Sequence, residues 1–335
     1  MSQDIVITGF VRTPIGKFGG AFKNVKTPYL AAEAIKALIR RTGIDGKLID
    51  EVVFGSTLQG GMGGQNLSRF AALLAGLPIE VSAFTVNRVC SSGMQAIIEA
   101  VRALKVGDVN VVIAGGAESM STQPLALPHE VRWGIKHLIG RDLKFIDLMI
   151  YDGLTDPPTN MMLMGQEADK VAMEHEITRE ELDKVAYESH MRALRATENK
   201  YYLELEPVDT VINGERVYLD RDEGIRPDTS LEKLAKLKPA FGPNGLHTAG
   251  NSSQLSDGAA ALLLTTMDKA KELGLRPIAK IVGYAWHMVE PWRFPEAPIY
   301  VIRKLLNKVG WSVSDVDVFE VNEAFAVVTS WLIRS

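Results

Sequence analysis

Cysteine is almost missing from this sequence: 335 residues hold one, Cys90. A single thiol excludes an internal disulfide and fits a reducing compartment, so the cytoplasm is the expected location. Long apolar runs are lacking too, and none approaches a membrane span. The opening Met1-Ser2-Gln3-Asp4 passes straight into an apolar strand, with no room for a signal or transit peptide, and Ile333-Arg334-Ser335 matches no targeting tail. Charge of one sign is absent in bulk. The net charge is −4, and Lys and Arg are scattered instead of striped, which leaves no electrostatic footprint for nucleic acid. His190 lies on a helical segment without a second ligand-type residue at helical spacing, so it reads as a surface histidine, and no metal is expected. What remains is ordinary: 46% apolar and 23% charged residues, in a chain long enough for two or more domains with cores of their own.

The stretch that organises the rest surrounds the one thiol. Ala83-Phe84-Thr85-Val86-Asn87-Arg88-Val89-Cys90-Ser91-Ser92-Gly93-Met94-Gln95 reads as a strand, a tight corner and the start of a helix. Val86 and Val89 are strand formers. Ser91 and Ser92 suit a helix N-terminus, and Ala96, Ile97, Ala100, Val101 and Leu104 follow at helical spacing until Gly107. A thiol at such a corner meets first-turn amides and the positive end of a helix dipole. Both favour thiolate, the form that acts as nucleophile. The alternative is a small buried hydrophobe at a strand end; the corner position and the Ser-Ser-Gly flank favour the nucleophile.

Along the chain, Ile5 to Gly9 reads as a strand, Leu30 to Ile39 as an apolar helical stripe closed by Gly43, and Val52-Val53-Phe54 as a second strand. The loop Gln59 to Gln65 carries four glycines without a following Lys-Ser/Thr, which favours a flexible loop over a phosphate cradle. Phe70 to Leu74 is helical, and Val109 to Ala114 is an apolar strand of the kind buried on both faces. This alternation implies an α/β layered domain. From Ser121 to about Ala249 strand signals thin out. The clearest element there is a helix from Thr178, whose capping box is completed by Glu181. Strand character returns at Ala259 to Thr265. The expected organisation is 1–120 plus 250–270 as one domain, 121–249 as an inserted loop domain, and 271–335 as a further domain.

A repeat supports that division. Ile35-Lys36-Ala37-Leu38-Ile39, Gly43 and Asp50-Glu51-Val52-Val53-Phe54 recur in order as Ile302-Arg303-Lys304-Leu305-Leu306, Gly310 and Asp315-Val316-Asp317-Val318-Phe319, and Pro28 is matched by Pro295. Ile281-Val282-Gly283 likewise resembles the opening strand. Two copies of one α/β unit are expected. The counterpart of the Cys90 corner would fall beyond Ser335, so the second copy reads as incomplete.

The chain resembles the thiolases, which join and cleave 3-oxoacyl-CoA thioesters. The resemblance is carried by Arg12-Thr13-Pro14-Ile15-Gly16, Gly64-Gln65-Asn66, Asn87 to Ala96, Gly115-Gly116-Ala117-Glu118-Ser119-Met120-Ser121, Leu234 to Phe241, Thr248-Ala249-Gly250-Asn251-Ser252-Ser253, Asp257-Gly258-Ala259-Ala260 and Asn322-Glu323-Ala324-Phe325-Ala326. It implies the five-layered αβαβα fold of two similar halves, with a loop domain inserted in the first and the second half incomplete here. It implies that Cys90 accepts the acyl group and that Asn322 holds the water stabilising an enolate oxyanion. Ser253 would touch the pantetheine arm, and Arg226 would lie near the adenine of CoA. A solvated loop charge is the alternative for Arg226, a loop cap for Asn322. Coenzyme A thioesters are then substrates, no cofactor is needed, and a homodimer or homotetramer is the family expectation.

The departures are equally specific. The family's Gly-Gly-Ala-Ile-Ala-x-Gly-His-Pro and Cys-x-Gly-Gly-Gly motifs supply an activating histidine and a second cysteine. Neither motif occurs among these residues, and His129, His137, His175, His190, His247 and His287 have other surroundings. The expectation is a C-terminally truncated thiolase of fatty acid metabolism with impaired turnover. The alternative is a non-catalytic acyl-CoA-binding or assembly subunit. A condensing enzyme of the 3-oxoacyl synthase type is disfavoured, because it carries histidine where this chain has Asn-Glu-Ala-Phe-Ala.

Overall fold

The structure is a computed structural model that describes residues 4–59, 65–134, 136, 139–140, 142, 144–156, 159, 161–212 and 214–335. Gly60, Gly61, Gly63 and Gly64 of the glycine-rich loop, His137, Pro157, Pro158 and Asn160 lie outside the described residues. The chain divides into two compact units. The first comprises Met1–Gly153, Glu204–Glu223 and Leu255–Ile281; the second comprises Leu154–Leu203, Gly224–Gln254 and Val282–Ser335. No helix among the described residues is long and apolar enough to cross a membrane.

In the first unit, alternating strands and helices build one sheet. Its strands are β1 (Ile5–Arg12), β2 (Glu51–Gly55), β3 (Ser82–Val86), β4 (Val111–Ser119), β5 (Ser256–Thr266) and the two-residue β6 (Ala279–Lys280). Their order is β6-β1-β5-β4-β2-β3, and a seventh short strand, Gly16–Lys17, pairs with β5. β2 runs parallel to β3 and β4, whereas β5 runs antiparallel to β1 and β4. The helices are α1 (Thr27–Thr42), α2 (Leu67–Leu74) and α3 (Ser92–Val106). Leu30, Ile35 and Leu38 of α1 pack with Val52, Phe54, Ile113 and Leu263 of the sheet. The hairpin of Val208–Ile212 and Glu215–Leu219 adds Val208, Ile212 and Leu219 to the same core.

One difference from the sequence reading matters for the site. The apolar run ends at Ala114, yet β4 continues through Gly115, Gly116 and Glu118 to Ser119, because β5 pairs with it residue for residue from Thr265 to Asp257. A partner strand supplies hydrogen bonds that local propensity cannot register. The Arg-Thr-Pro-Ile-Gly run has a structural task in this unit. Arg12 forms a two-pronged ion pair with Asp222 at 2.8 and 3.0 Å and reaches Glu204 at 3.1 Å, while Glu223 accepts the amides of Lys17 and Ala21.

The second unit is largely helical: α4 (Met164–Glu174), α5 (Arg179–Glu198), α6 (Ala297–Val309) and α7 (Ala326–Arg334). The capping box before α5 forms as its sequence requires. Thr178 accepts the Glu181 amide at 3.3 Å, and the Glu181 carboxylate accepts the Thr178 amide at 2.8 Å. Ala168, Val171, Ala172, Ile177, Leu182, Ala326 and Val327 form the core of this unit.

The repeat is visible in local geometry. α1 and α6 both end on a glycine in the left-handed region, Gly43 at φ 68° and Gly310 at φ 76°, and both are followed by a single turn of 3₁₀ helix. Only glycine enters that region without steric cost, which is why the two positions keep it. The proline match is less close: Pro295 lies in the 3₁₀ segment before α6, and Pro298 takes the first-turn place that Pro28 has in α1. After the 3₁₀ turn the copies diverge. Val316 to Phe319 are in no strand and largely exposed, and Ile281 to Gly283 likewise fall outside β6. An apolar alternation becomes a strand only when a neighbour takes its backbone groups.

One pair of acids in this unit makes stability depend on pH. Glu167 is buried, and the Thr159 hydroxyl lies 2.9 Å from Glu167 and 3.1 Å from Asp156. Burial raises the Glu167 carboxyl most, the Thr159 hydrogen bond lowers it, Asp156 raises it and Lys170 lowers it, the balance lying at about 7. A raised carboxyl means that folding retains a proton. The associated stability is complete below the ordinary carboxylate value and lost as pH rises through about 7. Thermal melts from pH 5 to 8 should show a loss of about 1–2 kcal/mol after allowance for solvent screening, and Glu167→Gln should flatten the profile. An unchanged slope in that variant would assign the dependence elsewhere.

Candidate active site

Cys90 stands at the corner between β3 and α3, as its sequence requires, and it is exposed. The corner is held from several sides. The Ser92 hydroxyl accepts the Arg88 amide at 2.8 Å and donates to the Val89 carbonyl at 2.6 Å. Asn87 accepts the Val89 amide at 2.9 Å and donates to the Thr57 carbonyl at 3.0 Å. Val89 has φ 50°, a left-handed conformation that costs a β-branched residue on the order of 1–3 kcal/mol and persists only where the surroundings impose it. The helix start also sits hard against the sheet. A Cβ on Gly55 would come 2.1 Å from the Ser92 carbonyl carbon, so this strand end must be glycine for α3 to seat where it does.

The electrostatics at the sulfur correct the sequence reading. The expected sharpening by the helix dipole is opposed at the sulfur: the Cys90 thiol lies above its ordinary value. Burial is the largest cause, the residue's own amide pulls the other way, and the Glu118 charge adds to the rise. The amides expected to face the thiolate are partly spent. Ser91 N–H donates to Arg88 O at 3.1 Å, and Ser92 N–H to Val89 O at 3.0 Å.

Glu118 is a residue that the sequence reading quoted in a motif but gave no role. Near the end of β4, its carboxylate accepts Thr57 N–H at 2.7 Å, Leu58 N–H at 3.3 Å and the Ser56 hydroxyl at 3.3 Å. Burial raises its carboxyl, and those three hydrogen bonds hold it down. The signal was available as a lone acid in an otherwise small, apolar run.

The other three expected site residues lie in the second unit. Asn322 and Ser253 are exposed on segments stapled together: Ser253 N–H donates to Ala324 O at 3.0 Å, and Ala326 N–H to Asn251 O at 3.0 Å. Arg226 is exposed, and its backbone amide donates to His190 Nδ1 at 3.3 Å. His190 is half-buried. Burial lowers its imidazole most, the Arg226 charge lowers it further, and Glu323, which accepts the Ser189 hydroxyl at 2.7 Å, raises it. The structure thus bonds Ser253 to the segment two residues past Asn322, and the Arg226 backbone to His190 of α5.

Behind that loop lies a buried pair not anticipated from sequence. His247 is fully buried, and Asp169 Oδ1 accepts its Nδ1–H at 2.8 Å, its amide at 2.7 Å and the Leu246 amide at 2.9 Å. The imidazole meets the ring of Phe325 edge-on at 5.5 Å. Two other histidines have packing partners as well: His175 stacks on Trp331 and contacts Glu296, and His287 stacks on Tyr300. Glu174, His175 and Glu296 have metal-ligand atoms close together, but Arg293 pairs with both acids, which suits an ion-pair network.

Known proteins share this arrangement over nearly the whole chain. The thiolase N-terminal domain model matches residues 5–268, and the thiolase C-terminal domain model matches residues 275–334. An acetyl-CoA acetyltransferase of Synechocystis sp. is 42% identical over 326 residues, 97% of this chain and 82% of that protein. A probable acetyl-CoA acyltransferase of Staphylococcus aureus is 44% identical over 324 residues, 96% of this chain and 81% of that one. Among solved structures, the Bacillus anthracis acetyl-CoA acetyltransferase aligns with TM-score 0.94 at 42% identity, covering 99% of this chain and 83% of its own. Human mitochondrial 3-ketoacyl-CoA thiolase aligns with TM-score 0.93 at 35% identity and the same coverages. With both models matched in tandem and the fold reproduced at this level, the chain belongs to the thiolase family.

Proposed function

We propose that the chain is an acyl-CoA acyltransferase that carries its acyl group on Cys90, condensing acetyl-CoA or cleaving 3-oxoacyl-CoA. The observation that carries this reading is an exposed thiol at a strained strand–helix corner, braced by Ser92 and Asn87. In the acylation step the Cys90 sulfur attacks the thioester carbonyl. A new sulfur–carbon bond forms, the bond to the CoA sulfur breaks, and CoA leaves as the thiol with the proton that Cys90 gives up. On this reading Asn322 holds the water that helps stabilise the enolate oxyanion of the carbon–carbon step, Ser253 meets the pantetheine arm and Arg226 lies by the adenine. The chemistry uses coenzyme A thioesters as substrates and draws on no further cofactor.

The protein is further proposed to work in the cytoplasm, in fatty acid metabolism, as a homodimer or homotetramer. Support for self-association comes from β3, an edge strand that exposes Phe84, with exposed Phe70, Leu73 and Met94 on α2 and α3. The second reading is an acyl-CoA-binding or assembly subunit without turnover. The given residues hold neither Gly-His-Pro nor Cys-x-Gly-Gly-Gly. A polypeptide of these residues alone is therefore expected to run the carbon–carbon step slowly, since a placed base typically contributes about 10²–10⁴ in rate.

Acid quenching after mixing with acetyl-CoA, followed by intact and peptide mass measurement, separates the readings. An acetyl increment on the Cys90 peptide is the expected result. Saturable CoA binding by calorimetry without any increment would reject the acyltransferase and leave the binding subunit.

A further inference from the structure

Four links join Glu118 to the nucleophile's backbone. The Glu118 carboxylate takes the amides of Thr57 and Leu58; the Thr57 carbonyl takes the Asn87 side-chain N–H; the Asn87 side-chain oxygen takes the Val89 amide; Val89, at φ 50°, precedes Cys90. The loop after β2 is joined to β3 by one further backbone bond, Ser56 N–H to Val86 O at 3.1 Å. Nothing in local propensity favours a β-branched residue at positive φ, so the conformation of Val89 is imposed from outside. Glu118 is also close enough for its charge to act on the Cys90 sulfur.

We propose that Glu118 is a positioning residue for Cys90: through the 56–58 loop and Asn87 it holds the Val89–Cys90 corner in the geometry that presents the sulfur to an acyl thioester. The proposal rests on Cys90 being the acyl acceptor. Two functions of the carboxylate are separable by substitution. Glu118→Gln keeps an oxygen for the Thr57 and Leu58 amides, and its amide group can donate to the Ser56 hydroxyl, so shape is retained and charge is lost. Glu118→Ala removes both. Asn87→Ala cuts the same chain one link further on.

The experiment measures two rates on the full chain, Cys90 acylation by acetyl-CoA and Cys90 alkylation by iodoacetamide at pH 7, with thermal melts alongside. Glu118→Ala is expected to slow acylation by about 10²-fold, the scale of a misplaced reacting atom, without slowing alkylation, because a small reagent makes no demand on corner geometry. Glu118→Gln is expected to keep acylation within about fivefold and to speed alkylation, since the repelling charge is gone. Asn87→Ala should reproduce the acylation loss, and Asn87→Ala combined with Glu118→Ala should lose little more than either alone, as residues in one chain of contacts do. Multiplying losses in the double variant would overturn the proposal, as would Glu118→Gln failing to restore acylation. If Glu118→Ala does not fold, the comparison of Glu118→Gln with Asn87→Ala decides: acylation must fall in the second and not in the first. Were the parent chain not acylated at all, the acyltransferase reading would fail. The linkage would then be judged by proteolysis between residues 86 and 92, which Asn87→Ala and Glu118→Ala should both quicken and Glu118→Gln should not.

Discussion

Cys90→Ser is expected to lower acyl transfer from acetyl-CoA by about 10⁴-fold or more while leaving the fold untouched, in line with the loss of a principal nucleophile in other covalent enzymes. The two side chains are near-isosteres, so the test isolates chemistry from shape. Cys90 is exposed at the corner and serine is its near-isostere, so the melting temperature should stay within about 1–2 °C. The hydroxyl is a far weaker acid and a weaker nucleophile than the thiol, so serine cannot take over the attack on the thioester. Desolvation that hinders the thiolate hinders an alkoxide more. Rapid acid quench with peptide mass measurement is the direct assay, with circular dichroism as control. Retention of a tenth of the parent rate would show that the acyl group goes elsewhere.

The same residue shows how far local sequence carries and where it stops. Most of what is short-range at the corner was legible: although Val89, read as a strand former, lies past the strand's end at φ 50°, β3, the corner and α3 follow from residue type and spacing. So did the Thr178–Glu181 box and the two glycine-ended helices of the repeat, because each is closed by partners a few residues away. The acidity of the thiol was read with the wrong sign. The dominant cause of the rise is burial, which residue spacing does not reveal, and the Ser91 and Ser92 amides are spent on the Arg88 and Val89 carbonyls of the corner. The extension of β4 past Ala114 and the absence of a strand at Val316 to Phe319 have one cause of opposite sign. In the first case a distant strand supplies partners, and in the second none does among the described residues. Glu118 and Asp169 were illegible for a related reason: the donors they satisfy lie about 60 and about 77 residues away in sequence.

Asp169→Ala is expected to be the most damaging single substitution to the second unit, at about 3–5 kcal/mol, because it leaves a buried cluster of donors with nothing to accept them. One oxygen of Asp169 takes three bonds, from the Leu246 amide, the His247 amide and His247 Nδ1. Neither partner can turn to solvent, since His247 is fully buried and Asp169 nearly so. A methyl group satisfies none of these donors, and it opens a void beside Gly245, where a Cβ would stand only 2.4 Å from the other Asp169 oxygen. The damage should extend to the candidate oxyanion residue. His247 packs edge-on to Phe325, and the flanking bonds from Ala326 to Asn251 and from Ser253 to Ala324 keep the Asn322 loop on the segment that the pair anchors. Asp169→Asn separates charge from hydrogen bonding. It retains the accepting oxygen and loses the ionic share, so a cost of about 1–2 kcal/mol is expected, less than half that of alanine. Denaturant unfolding of the three proteins measures the series directly. Equal losses for alanine and asparagine would mean that the carboxylate charge, and not its capacity to accept three donors, is what secures this part of the unit.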